Sequence, residues 1–76
     1  MLDGPEASYE GQYAGDTYTV QVFAVAGVAP RGKRQVLLRI RFRGLTEDFV
    51  EMVPRSFTEV FIHTAVRRLI SEAWPT

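Results

Sequence analysis

The sequence predicts an α+β domain: an antiparallel sheet packed on one face by a carboxy-terminal helix. Three observations predict it. Apolar and polar side chains alternate with period two over 17–28 and again over 35–43. Between those runs, Ala29-Pro30-Arg31-Gly32-Lys33-Arg34 places a proline and a glycine where a ladder must break. After residue 57 the apolar positions recur at three and four, the period of a helix.

The elements follow in order. Residues 1–7 read as a flexible lead, and Tyr9, Gly11 and Tyr13 alternate with polar residues to give a short strand over about 8–13. In the strand over 17–28, Tyr18, Val20, Val22, Ala24, Ala26 and Val28 share one face, with Thr17, Thr19, Gln21, Phe23 and Val25 on the other. It pairs with 35–43 as a hairpin. A register in which paired numbers sum to 64 sets Val22 against Phe42, Ala24 against Ile40 and Ala26 against Leu38 on the buried side, with Phe23 against Arg41 and Val25 against Arg39 outside. Sums of 62 or 66 keep the same faces, because only odd shifts exchange them.

The stretch 45–54 reads two ways. Thr46 as N-cap, Glu47 and Asp48 in a first turn, and a Leu45–Val50 staple favour a short helix near 47–53. Phe49, Glu51 and Val53 alternating with Asp48, Val50 and Met52 fit a strand. Ser56-Phe57-Thr58-Glu59 has the capping-box spacing, so the final helix is expected over 57–73, its stripe formed by Phe61, Ile62, Ala65, Val66, Leu69 and Ala73. Ile70 and Trp74 flank that stripe, and either internal elements cover them or they form a self-association patch.

Composition narrows the function classes. The 76 residues make a single small domain, 1–76, close to the size at which one core suffices only narrowly. Without cysteine there is neither a disulfide nor a thiolate metal cage. The longest run lacking polar side chains, 22–29, is far too short to span a bilayer, and the first six residues lack a secretory pattern, so a cytoplasmic location is expected with no membrane partner. Net charge is zero but unevenly spread: −4 over 1–30, +6 over 31–43 and −2 over 44–76. A neutral total disfavours a generic polyanion binder, while the basic segment suits one acidic partner.

That segment is the main candidate site. Arg39, Arg41 and Arg43 alternate with Val36, Leu38, Ile40 and Phe42, so a strand here sends three guanidinium stems off one face ~7 Å apart. With the loop bases Arg31, Lys33 and Arg34 they offer bidentate bonds to carboxylates or phosphates. Phe23 falls on the same face, where Arg41 can lie over its ring, a partner can cap it, or the acidic amino-terminal segment can fold back over the stripe. The bland alternative is a solvated sheet face. The arginine alternation and order of elements resemble small DNA-binding domains that lay a three-stranded sheet in the major groove, such as plant GCC-box-binding domains and some integrase arm-binding domains. Their aromatic and tryptophan pattern is missing here. The resemblance implies a nucleic-acid partner as the alternative.

Catalytic patterns are weak. Gly27 to Arg34 has the glycine and lysine spacing of a phosphate loop, but Arg34 stands where a hydroxyl is needed and a strand follows instead of a helix. Glu59 and His63 are one helical turn apart and supply two ligands where zinc takes three or four. Ser8, Ser56 and Ser71 fall in a weak strand, at an N-cap and on a solvent face, and the capping role already accounts for Ser56. The expectation is a non-enzyme without metal or cofactor: an interaction module or small regulatory subunit binding an acidic protein surface, with nucleic-acid binding and a structural homodimer as alternatives.

Overall fold

The computed structural model describes residues 4–75. Four strands, β1 (Ala7–Tyr13), β2 (Asp16–Ala24), β3 (Lys33–Phe42) and β4 (Leu45–Pro54), form an antiparallel sheet in sequence order, followed by helix α1 (Glu59–Ala73). The predicted α+β class and its carboxy-terminal helix are what the chain adopts. Inward-facing Tyr18, Val20, Val22, Val36, Leu38, Ile40, Phe42 and Val53 meet Ile62, Ala65, Val66, Leu69 and Ile70 of α1 and Trp74 beyond it. Each such aliphatic or aromatic side chain, once fully buried, contributes ~1.5–3 kcal/mol.

Segment 45–54 is a strand, correcting the short helix near 47–53. An N-cap is worth about 1 kcal/mol. A helix here would have left the second edge of β3 unpaired along its whole length, whereas a ten-residue ladder satisfies a row of backbone groups, each contributing ~0.5–1.5 kcal/mol. Arg43 and Gly44, at φ 52° and 79°, make the two-residue turn that starts this hairpin, and Ala14 and Gly15, at 51° and 85°, do the same between β1 and β2.

The β2–β3 register sums to 60: Tyr18 faces Phe42, Val20 faces Ile40 and Val22 faces Leu38. This corrects 64 and its neighbours while keeping the faces. The cause is the loop. Strand β2 stops at Ala24, not residue 28, and 25–32 runs as a longer connection pinned where Gln35 Nε2 donates to the Val28 carbonyl at 3.2 Å. Strand β3 spans 33–42 in place of 35–43, Arg43 having moved into the turn.

Helix α1 starts two residues later than expected. Thr58, not Ser56, is the N-cap, its Oγ1 accepting from the Phe61 amide at 3.2 Å, because Phe57 is used ahead of the helix as a partly buried residue against the core. The buried stripe is Ile62, Ala65, Val66, Leu69 and Ile70, so Ile70 is inside while Phe61 and Ala73 are exposed. Of the expected flexible lead, residues 1–3 lie outside the described residues. Glu6 and Ala7 are held, Glu6 donating its amide to Val22 O at 2.8 Å and Ala7 pairing with Val22.

Candidate interaction face of the sheet

The face of the sheet opposite α1 is built in cross-strand rows, fixed by the three registers. Glu10, Thr19, Arg41 and Thr46 make one row; Ser8, Gln21, Arg39 and Asp48 the next; then Phe23, Leu37 and Val50; then Gln35 and Met52. Rows two residues apart lie ~7 Å from each other. The face therefore grades from polar and doubly charged to apolar.

The expected file of three arginines is not formed as one surface. Arg39 leaves the outer face, but Asp48 lies directly across on β4 and takes it in two parallel bonds, Nε to Oδ1 at 2.9 Å and Nη2 to Oδ2 at 3.0 Å. The paired guanidinium holds the Asp48 carboxyl below its ordinary range and is itself raised by the same bond. Arg43 sits in the turn at positive φ, reaches Asp16 at 2.6 Å and lies over the Phe42 ring at 4.8 Å. Arg41 stays on the outer face with no ion pair among the described residues.

Arg39 also covers Phe23, its Cζ 5.2 Å from the ring centroid. The expected Arg41 contact is replaced because the register sets Leu37 opposite Phe23 and brings Arg39 diagonally over it. Phe23 is thereby 7% exposed on a face that α1 does not reach, whereas Val50 in the same row is 59% exposed and Met52 in the next 39%.

Arg31 and Lys33 are exposed at the far end of β3, about 27 Å along the strand from Arg41 for Lys33. Arg34 faces the α1 side: Glu6 binds it bidentately at 2.9 and 2.8 Å, and its Cζ is 5.2 Å from the Phe57 ring. Ile70 and Trp74, candidates for self-association, are core residues at 2% and 7% exposure, and Trp74 Nε1 donates to the Phe42 carbonyl at 3.0 Å. Of the two expectations for them, internal cover is what the fold provides, and the open patch is not formed: Ile70 on α1 and Trp74 just beyond it both pack into the core.

A polar cluster on the α1 side was only half legible. Glu59 Oε2 accepts from His63 Nε2 at 3.1 Å, leaving Nδ1 as acceptor for the Tyr18 hydroxyl. Burial pushes the Tyr18 hydroxyl above its ordinary range; the nearby Arg67 charge opposes this and Glu59 adds to it. Gly11 completes the cluster, since a Cβ there would stand 2.6 Å from Tyr18 Cζ and 3.0 Å from His63 Nδ1. The Glu59–His63 spacing is readable in the sequence, but nothing in it brings Tyr18, 45 residues away, to the same place.

Among the described residues no group of three or more His, Cys, Asp and Glu side chains is arranged to hold a metal ion, and no helix is long and apolar enough to cross a membrane. No family model matches the chain, and no curated protein or solved structure matches it.

Proposed function

We propose that this small α+β domain is a non-catalytic interaction module that binds an acidic protein surface with the uncovered face of its sheet. The observation that carries the reading is the Phe23–Leu37–Val50 row, with Arg39 clamped by Asp48 over the Phe23 ring and Arg41 left unpaired beside it among the described residues. A guanidinium already fixed by a carboxylate loses little conformational freedom on binding, and arginine next to aromatic and aliphatic side chains is the usual composition of an interface centre. Arg41, with three neighbouring hydroxyl- or carboxyl-bearing residues in its row, supplies recognition of a partner carboxylate; Arg31 and Lys33 at the far end add long-range attraction.

The nucleic-acid alternative has less support, since Glu10 and Asp48 share the face and Arg39 and Arg43 are already bonded to carboxylates. Both ring nitrogens of His63 are engaged and Tyr18 has no exposed surface, which supports a packing role for that cluster and a non-catalytic module. The test uses Arg41→Glu/Lys33→Glu, which breaks no internal ion pair of the described residues. Affinity capture is expected to enrich a protein with the parent chain and to lose it with the charge-reversed one, the binding also weakening between ~0.05 and ~0.5 M salt. If no protein distinguishes the two chains, the reading is wrong.

A further inference from the structure

We propose that two copies of this chain pair antiparallel through the free edge of β4, joining two four-stranded sheets into one of eight strands. The sheet has two edges, and they differ. Strand β1 is seven residues long, and Arg67 from α1 reaches its Gln12 carbonyl at 3.5 Å. Strand β4 is ten residues long, and no hydrogen bond among the described residues covers its outer side. In a hairpin closed by a two-residue turn, the pair next to the turn, Phe42 and Leu45, is hydrogen-bonded, so odd-numbered residues of β4 bond to β3. The amides of Thr46, Asp48, Val50 and Met52 therefore point outward; Pro54, which has none, ends the series.

Ordinary edges are guarded by lysine, bulges or unpaired charge. This one is guarded little: it has no lysine, Asp48 is neutralised by Arg39 and Glu51 by Arg68, Glu47 near its start is left without an ion pair among the described residues, and Val50 and Met52 beyond it are exposed. Beside it, α1 turns a second stripe, Phe61, Thr64, Ala65 and Arg68, toward Glu51 and Met52 around a groove of about 260 Å³, and Phe61 is 39% exposed there. Residues of the edge strand and of the helix stripe line this one groove.

The strand is also self-complementary in the register that pairs most of its length. With the two-fold axis at Val50, Val50 meets Val50 of the second copy, Asp48 meets Met52, Phe49 meets Glu51 and Glu47 meets Val53, so no carboxylate opposes another. Axes at Asp48, Phe49 or Glu51 set carboxylate against carboxylate, which a sheet disfavours. A stable interface takes roughly 600 Å² from each partner. A strip ~30 Å long across a body whose thinnest extent is 19 Å, out of a surface of 5039 Å², is of that size.

Sedimentation equilibrium of the intact chain from ~10 μM to ~1 mM tests this, association following mass action. The mass is expected to rise toward twice 8.6 kDa, with slow exchange of the Thr46, Asp48, Val50 and Met52 amides at the high end only. Val50→Pro removes one outward amide per copy and no bond to β3, and should raise the dissociation constant ~10-fold or more. Val50→Lys sets two ammonium groups together at the axis and should do likewise, with circular dichroism unchanged. A parent chain that stays at 8.6 kDa throughout, or a dimer that survives both variants, overturns the proposal. Val50 also belongs to the row proposed to meet the partner, so the dimer is judged on sedimentation of the chain alone and the partner reading on Arg41→Glu/Lys33→Glu, which leaves the β4 edge intact; each result stands whatever the other gives.

Discussion

Asp48 lies directly across the β3–β4 ladder from Arg39 and takes its guanidinium in two parallel bonds. One carboxylate on a neighbouring strand thus converts a prospective file of cations into a neutral, fixed pair resting on Phe23, and leaves Arg41 as the unpaired arginine of that strand's outer face among the described residues.

Asp48→Asn should make stability less dependent on acid. The Asp48 carboxyl is held below its unfolded value, so its contribution is complete above the unfolded pKa, near 3.8, and is lost as pH falls through the lower folded value. Urea midpoints of parent and variant, measured from pH 6 downward, should differ slightly at pH 6 and converge in strong acid. A difference that grows on acidification would contradict the assignment.

Tyr18→Phe leaves the His63 Nδ1 acceptor without its hydroxyl and should cost about 1–3 kcal/mol by chemical denaturation. Burial raises the Tyr18 hydroxyl above 10.0, so the unfolded chain ionises first and stability declines as pH climbs past 10 toward the folded value. The variant should show a shallower decline there.

Trp74→Ala removes a core ring and its bond to the Phe42 carbonyl, a loss of about 3–5 kcal/mol that rivals the whole stability of so small a domain. Far-UV circular dichroism should report a largely unfolded chain. Trp74→Phe keeps most of the packing and should remain folded with a lower melting temperature.

Ala14→Gly should stabilise the fold by about 0.5–1 kcal/mol. Ala14 holds φ 51° in the turn between β1 and β2, a conformation costing an L-residue ~1–2 kcal/mol, part of which glycine returns as unfolded-state entropy. A rise in melting temperature of a few degrees is expected; a fall would place the strain elsewhere.

The legible part of the candidate face was its parity. Alternation set Phe23, Arg39 and Arg41 on one side and Val36, Leu38, Ile40 and Phe42 on the other, and the structure keeps that division. Arg43 escaped it, because a tight turn imposes its own φ on whatever residue stands there. Segment 45–54 carried both a helix start and a strand alternation, and local preference of about 1 kcal/mol could not arbitrate between them.

The sequence by itself determined the class of fold, the faces of the two central strands and the carboxy-terminal helix, because side-chain period is a property of the local backbone that hydrophobic burial reads directly. The tertiary structure alone decided the register, the fourth strand, the Arg39–Asp48 pair and the meeting of Tyr18 with His63. Each of these joins groups whose separation along the chain carries no information about distance. They are settled by whichever pairing satisfies the backbone of β3 and closes the core.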